Sequence, residues 1–217
     1  MSPLLLDEVE EDAFKELFNI SFGMTAATLS EMVDAEIELS VPCFSMLTEK
    51  SISDYIRHMY GMAVGLVGMR YRLVFSEGHA IPGMAVLLVR AADLGHFLDA
   101  LHGGPLPESM AALVEAESMQ LTGEILLYTC ASSLSLLFGS EIVGEKPIFF
   151  RGDPEALPAY LALEDANGEE DRPLLMLRVD FALTGKEVTG SLLTWMDGNG
   201  LPLLKTEIDH FIAMHMA

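Results

Sequence analysis

Long stretches in which apolar residues recur at helical spacing alternate along this 217-residue chain with shorter stretches rich in β-branched and apolar residues. Four helices are predicted, and neither of the two long ones contains proline: Asp12–Val33, Ala91–Leu101, Ser109–Phe138 and Pro202–Met214. Strands are predicted over six segments: Glu36–Leu47, Met62–Phe75, Ala80–Val89, Glu141–Phe150, Leu174–Leu183 and Val188–Met196.

The order helix, three strands, helix occurs twice in this pattern. A shift of 105 positions lays Ala26–Ser30 over Ala131–Ser135 and Ile20 over Ile125. We therefore predict a tandem duplication within one domain spanning residues 1–217, with half-repeats at about 8–103 and 108–217 joined at the turn cluster Gly103–Pro107. The predicted fold is a pseudo-twofold α+β domain with a mainly antiparallel sheet and the two long helices on one face.

Composition restricts the classes of partner. Apolar residues make up 51% of the chain, enough for a large core, and 33 acidic against 12 basic residues give a net charge of −21. Such a field repels nucleic-acid phosphates and anionic lipid, although it also serves solubility. The N-terminus has no basic segment and no apolar run approaches about 18 residues, so we expect a cytoplasmic protein.

Familiar catalytic and metal-binding motifs are absent from the sequence. The six histidines show no ligand spacing, and there is no nucleotide-binding glycine loop and no GxSxG motif. Cys43 and Cys130 are isolated from each other in sequence, and we expect both to be small buried side chains rather than metal ligands. We therefore expect no metal site of the chain's own.

The first long helix has two unlike sides. At about 100° per residue, Asp12, Glu16 and Asn19 fall within an arc of roughly 60°. The side predicted to pack on the sheet carries seven residues: Phe14, Leu17, Phe18, Met24, Thr25, Thr28 and Met32. Such polar spacing is also common on ordinary surface helices, and a helix dipole favours a carboxylate near the N-terminus.

Small residues continue the polar side toward the end of the helix. They are Gly23, Ala26, Ala27 and Ser30, at positions where a solvated helix would carry long charged side chains. Small side chains let another backbone approach closely, so this side is predicted to be a docking surface. Good helix propensity is the alternative explanation for the alanines.

These residues carry a resemblance to a known family. The segment Asp12-x3-Glu16-x2-Asn19-x22-Pro42, with the internal repeat, resembles the signature of the CheC/CheX/FliY family of chemotaxis response-regulator phosphatases. The resemblance implies a CheC-like fold and hydrolysis of the aspartyl phosphate of a CheY-like response regulator, in chemotaxis or another two-component pathway. It also implies that the regulator supplies Mg²⁺, so that the chain needs no cofactor.

The resemblance assigns roles to individual residues. Asn19 would position the attacking water, and Glu16 would pair with a lysine of the regulator. Asp12 would orient or dock the partner together with Gly23, Ala26 and Ala27. The sequence departs from the family at Ser21, where members often have glycine.

The second repeat departs further. Glu117, Leu121 and Glu124 occupy the equivalent helix positions, followed by Pro147, so the second site is predicted to be inactive. Two alternatives remain open: a non-catalytic interaction module resembling the FliM middle domain, and a scaffold that binds the deamidase CheD.

Overall fold

The computed structural model describes residues 7–40, 43–75, 78–137, 139–156, 173–185, 188–197 and 201–215. The helices in this part of the chain are α1 (Glu8–Val33), α2 (Glu49–Tyr60), α3 (Leu94–Leu101), α4 (Glu108–Leu137) and α5 (Leu201–His215), with a 3₁₀ turn at Pro154–Ala156. The strands are β1 (Ile37–Leu39), β2 (Cys43–Thr48), β3 (Val64–Val74), β4 (Ala80–Arg90), β5 (Glu141–Gly144), β6 (Ile148–Gly152), β7 (Pro173–Leu183) and β8 (Thr189–Asp197).

The strands form one sheet in the order β1-β7-β8-β4-β3-β5, with β2 also paired to β7 and β6 also paired to β3. All of these pairings are antiparallel. The long hairpins β3–β4 and β7–β8 lie at the centre because β4 pairs with β8. The predicted α+β fold with a mainly antiparallel sheet is therefore confirmed.

The two halves of the chain exchange strands. Ile37 of β1 lies opposite Leu183 of β7, while Ile142 of β5 lies opposite Leu73 of β3. Each half thus supplies the outer strands that cover the hairpin of the other half, so neither half has a complete sheet alone. The tandem duplication and its bounds stay a prediction.

One face of the sheet carries both long helices, as predicted. Side chains from α1, α3, α4 and α5 enclose the larger apolar core together with alternate residues of the strands, such as Leu87 and Val89 of β4. Burying each such side chain stabilises the fold by about 1.5–3 kcal/mol. Their neighbours Val86 and Leu88 point to the opposite face because side chains alternate along a strand.

Helix α2, which was not predicted from the sequence, covers that opposite face. Ile52 and Ile56 pack in the same apolar cluster as Trp195 of β8. Arg57 pairs with Asp153 at 2.7 Å and with Glu155, which lies in the 3₁₀ turn, at 2.5 Å. The apolar residues Ile52, Tyr55 and Ile56 do recur at helical spacing, a signal that was available.

The strand predicted over Glu36–Leu47 is two strands, β1 and β2, on either side of residues 41–42. Both strands pair with β7, so the two pieces have the same neighbouring strand. Pro42, on which the family resemblance partly rests, lies outside the described residues. Cys43 of β2 is exposed, so the prediction that both cysteines are buried is wrong for this one.

Helix α4 lies close against strand β3 at Gly123. A Cβ atom on this buried glycine would lie 2.3 Å from Val67 Cγ1 and 2.6 Å from Val67 Cβ. Val67 lies in β3, so the absence of a side chain at Gly123 sets the distance between helix and sheet. Gly23 of α1, by contrast, would place its Cβ in open space.

We expect Gly123→Ala to lower the free energy of unfolding by about 1–3 kcal/mol, because overpacking against Val67 outweighs the roughly 1 kcal/mol gain in helix propensity. Gly23→Ala is the matched control and should raise it by up to about 1 kcal/mol. Urea denaturation of both variants measures the two effects. A Gly123→Ala protein as stable as the wild type would contradict the close contact.

Candidate functional site

The N-terminus of α1 is fixed by a capping box. The Asp7 carboxylate accepts hydrogen bonds from the backbone N–H groups of Val9 and Glu10, both at 2.9 Å, and the Glu10 carboxylate accepts one from Asp7 N at 2.6 Å. Glu10 also pairs with Lys205 of α5, and this hydrogen bond, with that from Asp7, lowers the pKa of Glu10. The helix therefore begins at Glu8 rather than Asp12, which places Asp12 in its second turn.

Helices α1 and α4 are joined by a buried polar contact. The hydroxyl of Ser21, which is fully buried, donates to the backbone oxygen of Cys130 at 3.0 Å. Thr25, equally buried, donates to Ser21 O at 3.0 Å. Burial raises the pKa of Cys130 to about 11, so its thiol stays protonated at neutral pH. Ser21, which replaces the glycine common in the family, thus faces α4 and not solvent.

The predicted polar side of α1 lies at the protein surface. Asp12, Glu16 and Asn19 are all exposed. Asp12 is 3.6 Å from Lys15, which also pairs with Glu11 at 2.8 Å. Glu16 and Asn19 lie three residues apart, which brings their Cβ atoms to within about 5–6 Å on a helix surface.

The side chains of Glu16 and Asn19 have no hydrogen-bond or ion-pair partner among the described residues. The side chains can therefore turn toward an external molecule without breaking an internal contact. This arrangement offers one carboxylate acceptor and one neutral amide, which both donates and accepts hydrogen bonds.

Fewer of the small residues that continue the polar side of α1 are exposed than predicted. Gly23 and Ala27 are exposed, but Ala26 is only 7% exposed and belongs to the core. At about 100° per residue, Ala26 lies closer in angle to the buried Phe22 and Val33 than to the centre of the polar side. Ala26 is therefore corrected from a docking residue to a packing residue.

The packing side of α1 also differs in part from its prediction. Leu17, Phe18 and Thr25 are fully buried, whereas Thr28 and Met32 are half-buried. Met24 is 51% exposed, so its assignment to the sheet-facing side is wrong. The side chain of Phe14 lies outside the described set.

Met24 lines an open groove between the two long helices. The other lining residues, all on α4, are Tyr128, Thr129, Ser132 and Leu136, and the groove volume is about 400 Å³. We call this feature the α1–α4 groove. The sequence did not reveal it, because a groove between helices depends on how the helices pack and not on either pattern alone.

The equivalent positions of the second half are also at the surface. Glu117 and Glu124 are exposed, and Leu121 between them is 58% exposed. Pro147 is buried, and its carbonyl oxygen accepts a hydrogen bond from Gln120 at 3.1 Å. This face therefore offers two carboxylates and an apolar side chain, with no amide at the position of Asn19.

Within the described parts of the chain, no group of three or more His, Cys, Asp or Glu side chains is arranged to hold a metal ion. The same residues include no helix that is long and apolar enough to cross a bilayer.

The comparison with known proteins gives one curated sequence relative. It is the flagellar motor switch phosphatase FliY of Bacillus subtilis, 25% identical over 139 residues, which are 63% of this chain. The matched region is 34% of that protein, so this chain spans about a third of the length of its relative. No family model matches the chain.

Solved structures match over most of the chain. FliY of Thermotoga maritima has a TM-score of 0.66 at 17% identity and covers 97% of this chain and 98% of its own. The FliM middle domain of H. pylori scores 0.59 at 7% identity, covering 93% and 99%. A chain of the CheX–CheY–BeF₃–Mg²⁺ complex of Borrelia burgdorferi scores 0.51 at 15% identity, covering 83% and 97%.

The fold that these structures share is the CheC-like fold. Together with the sequence relative, they confirm the predicted resemblance of this chain to the CheC/CheX/FliY family.

The buried contact between α1 and α4 predicts unequal reactivity of the two cysteines. In the native protein, we expect a disulfide reagent such as DTNB to modify the exposed Cys43 and to leave Cys130 unmodified until denaturant is added, because Cys130 is buried and protonated. Cys43→Ser should remove the native-state reaction. Rapid modification of Cys130 in native Cys43→Ser protein would contradict the tight packing of α1 on α4.

Proposed function

We propose that this protein is a phosphatase that hydrolyses the aspartyl phosphate of a CheY-like response regulator. The observation that supports the proposal best is the pair Glu16 and Asn19, exposed and without partners among the described residues, on the first long helix of a CheC-like fold. The curated relative, a flagellar motor switch phosphatase, is consistent with it.

The chemistry requires little from the phosphatase. An aspartyl phosphate is a mixed anhydride, and the regulator contributes Mg²⁺ and a lysine to its own site, so the missing part is a water held in line with the leaving carboxylate. The Asn19 carboxamide can hold that water without adding charge beside the phosphoryl group. The Glu16 carboxylate, one turn away, would form an ion pair with the lysine of the regulator and so align the two proteins.

Asp12 and the small residues have supporting roles in this proposal. The exposed Asp12 carboxylate is 3.6 Å from the Lys15 ammonium group and lies one turn before Glu16. It would contact the edge of the regulator's docking surface. Gly23 and Ala27 would allow its backbone to approach the helix. The protein would act in the cytoplasm, and no cofactor of its own is needed because the metal belongs to the partner.

A related structure supports the choice of partner. A protein of the same fold, CheX of Borrelia burgdorferi, occurs in a complex with CheY, BeF₃ and Mg²⁺. The fold is therefore compatible with a CheY-type partner. Binding of CheD stays an untested alternative.

The second candidate function is a non-catalytic interaction module. FliM middle domains have the same fold, and solved complexes pair FliM with FliG and with SpeE. In such a module Glu16 and Asn19 would contribute only to binding. Mutation of Asn19 separates the two functions, because a module has no turnover to lose.

We expect Asn19→Ala to slow the dephosphorylation of a phosphorylated CheY-like receiver domain by at least about tenfold, equivalent to a loss of about 1.4 kcal/mol of barrier lowering. Because Asn19 is exposed, the free energy of unfolding should change by no more than about 0.5 kcal/mol. The rate of loss of phosphate from the receiver domain is the measurement.

Glu124→Ala is the matched control, since it changes the equivalent exposed position of α4. It should leave turnover at the wild-type rate if the second site is inactive. Full activity in Asn19→Ala would refute the proposed role of the amide. Loss of activity in Glu124→Ala would show that the second half takes part in hydrolysis.

A further inference from the structure

The outer sides of α1 and α4 carry a concentration of exposed apolar side chains. Seven large ones among the described residues lie on these helices: Val9 and Met110 near the helix N-termini, and Ile20, Met24, Leu121, Ile125 and Leu136 farther along. Leu136, at the rim of the α1–α4 groove, is 78% exposed. Isolated apolar residues are normal on a surface, but several beside a groove are typical of an interaction site.

The groove and the candidate catalytic pair share helix α1. Ile20 follows Asn19 directly and lies one turn beyond Glu16, and Met24 lies one turn beyond Ile20. From Asn19 to Met24 the helix rises about 7.5 Å and rotates by about 140°, so these two side chains lie at opposite edges of the exposed side of α1, with Glu16 and Ile20 between them. A protein interface of standard size buries about 800 Å² on each partner, a patch roughly 30 Å across. A protein that covers the exposed side of α1 from Asn19 past Glu16 would therefore also reach the groove.

Charge indicates what kind of surface fits. Helix α4 contains no Lys or Arg, and the one Lys of α1, Lys15, pairs with Glu11 and Asp12. Four exposed carboxylates lie before, between or after the exposed apolar residues of the two helices in the sequence: Glu16, Glu31, Glu117 and Glu124. A second copy of this chain would bring like charges together, and anionic lipid would be repelled. A surface with an apolar centre and a rim of Lys or Arg is complementary.

We propose that the α1–α4 groove is a second docking point for the receiver domain of the proposed function, and that it takes an apolar side chain flanked by Lys or Arg. This inference rests on the identity of the partner in the proposed function, but not on hydrolysis. It gives the two parts of the surface separate tasks: Asn19 acts on the phosphoryl group, and the groove holds the partner in place.

Leu136→Arg tests the groove. The probe is a CheY-like receiver domain activated with beryllofluoride and Mg²⁺, titrated against each variant by calorimetry. We expect the Kd to rise at least about tenfold, because the added cation meets the basic rim of the partner and the apolar contact is lost. Leu136→Ala, which adds no charge, should raise the Kd by a smaller factor in the same direction.

The matched control is Met62→Arg, which introduces the same side chain at a strongly exposed apolar residue before β3 and outside both long helices. It should leave the Kd unchanged. All three variants should unfold within about 0.5 kcal/mol of the wild type, since the changed side chains are exposed. In the hydrolysis assay, the KM for the phosphorylated receiver should rise with the Kd in Leu136→Arg and stay unchanged in Met62→Arg.

The outcomes separate this inference from the proposed catalysis. If Leu136→Arg binds the receiver domain more weakly and the wild type does not speed hydrolysis, the groove is supported and the catalytic role is refuted. Hydrolysis that depends on Asn19, with equal Kd values for Leu136→Arg and wild type, would refute the groove and support catalysis. The inference is also overturned if the wild type binds no activated receiver domain, or if Leu136→Arg only abolishes self-association in sedimentation experiments.

Discussion

The exchange of strands between the two halves is the constraint on which the rest of the structure depends. β1 and β2 pair with β7 from the other half, and β5 and β6 pair with β3. The two central hairpins are joined where β4 pairs with β8. Because each half completes the sheet of the other, the first helix of each half returns across the same face. The exchange therefore brings α1 and α4 side by side, although about 75 residues separate the end of one from the start of the other.

Small side chains determine how closely that helix pair packs. Gly123 lets α4 rest on Val67 of the sheet, and Ser21 lets α1 approach Cys130 while satisfying its own hydroxyl. A larger residue at either position would force the helix to shift or its neighbours to repack. The position of Glu16 and Asn19 therefore depends on how the opposite side of α1 packs against α4. The proposed function of this pair thus relies on core packing.

Local patterns predicted the elements better than they predicted the surfaces. The long helices and both hairpins follow from apolar spacing and turn residues, which are properties of short segments. Helix α2 was missed because its apolar residues are few and lie between two strong strand signals. The spacing of Ala26 and Met24 was read correctly as helical, but the exposed arc was misplaced. Which side of a helix is covered depends on its neighbours. Met24 lies at the groove between α1 and α4 and is exposed, whereas Ala26 is buried.

The two helix faces that the predicted duplication would make equivalent differ in chemistry, and both are exposed. Positions that carry Glu16 and Asn19 on α1 carry Leu121 and Glu124 on α4, and all four side chains are at the surface. An exposed leucine in place of a carboxylate adds nothing to the stability of an already complete core, and it makes the surface less soluble. An inactive second site requires only some polar residue at this position. The exposed apolar residues along α4, in a chain with a net charge of −21, agree better with the proposal that a partner contacts the second helix.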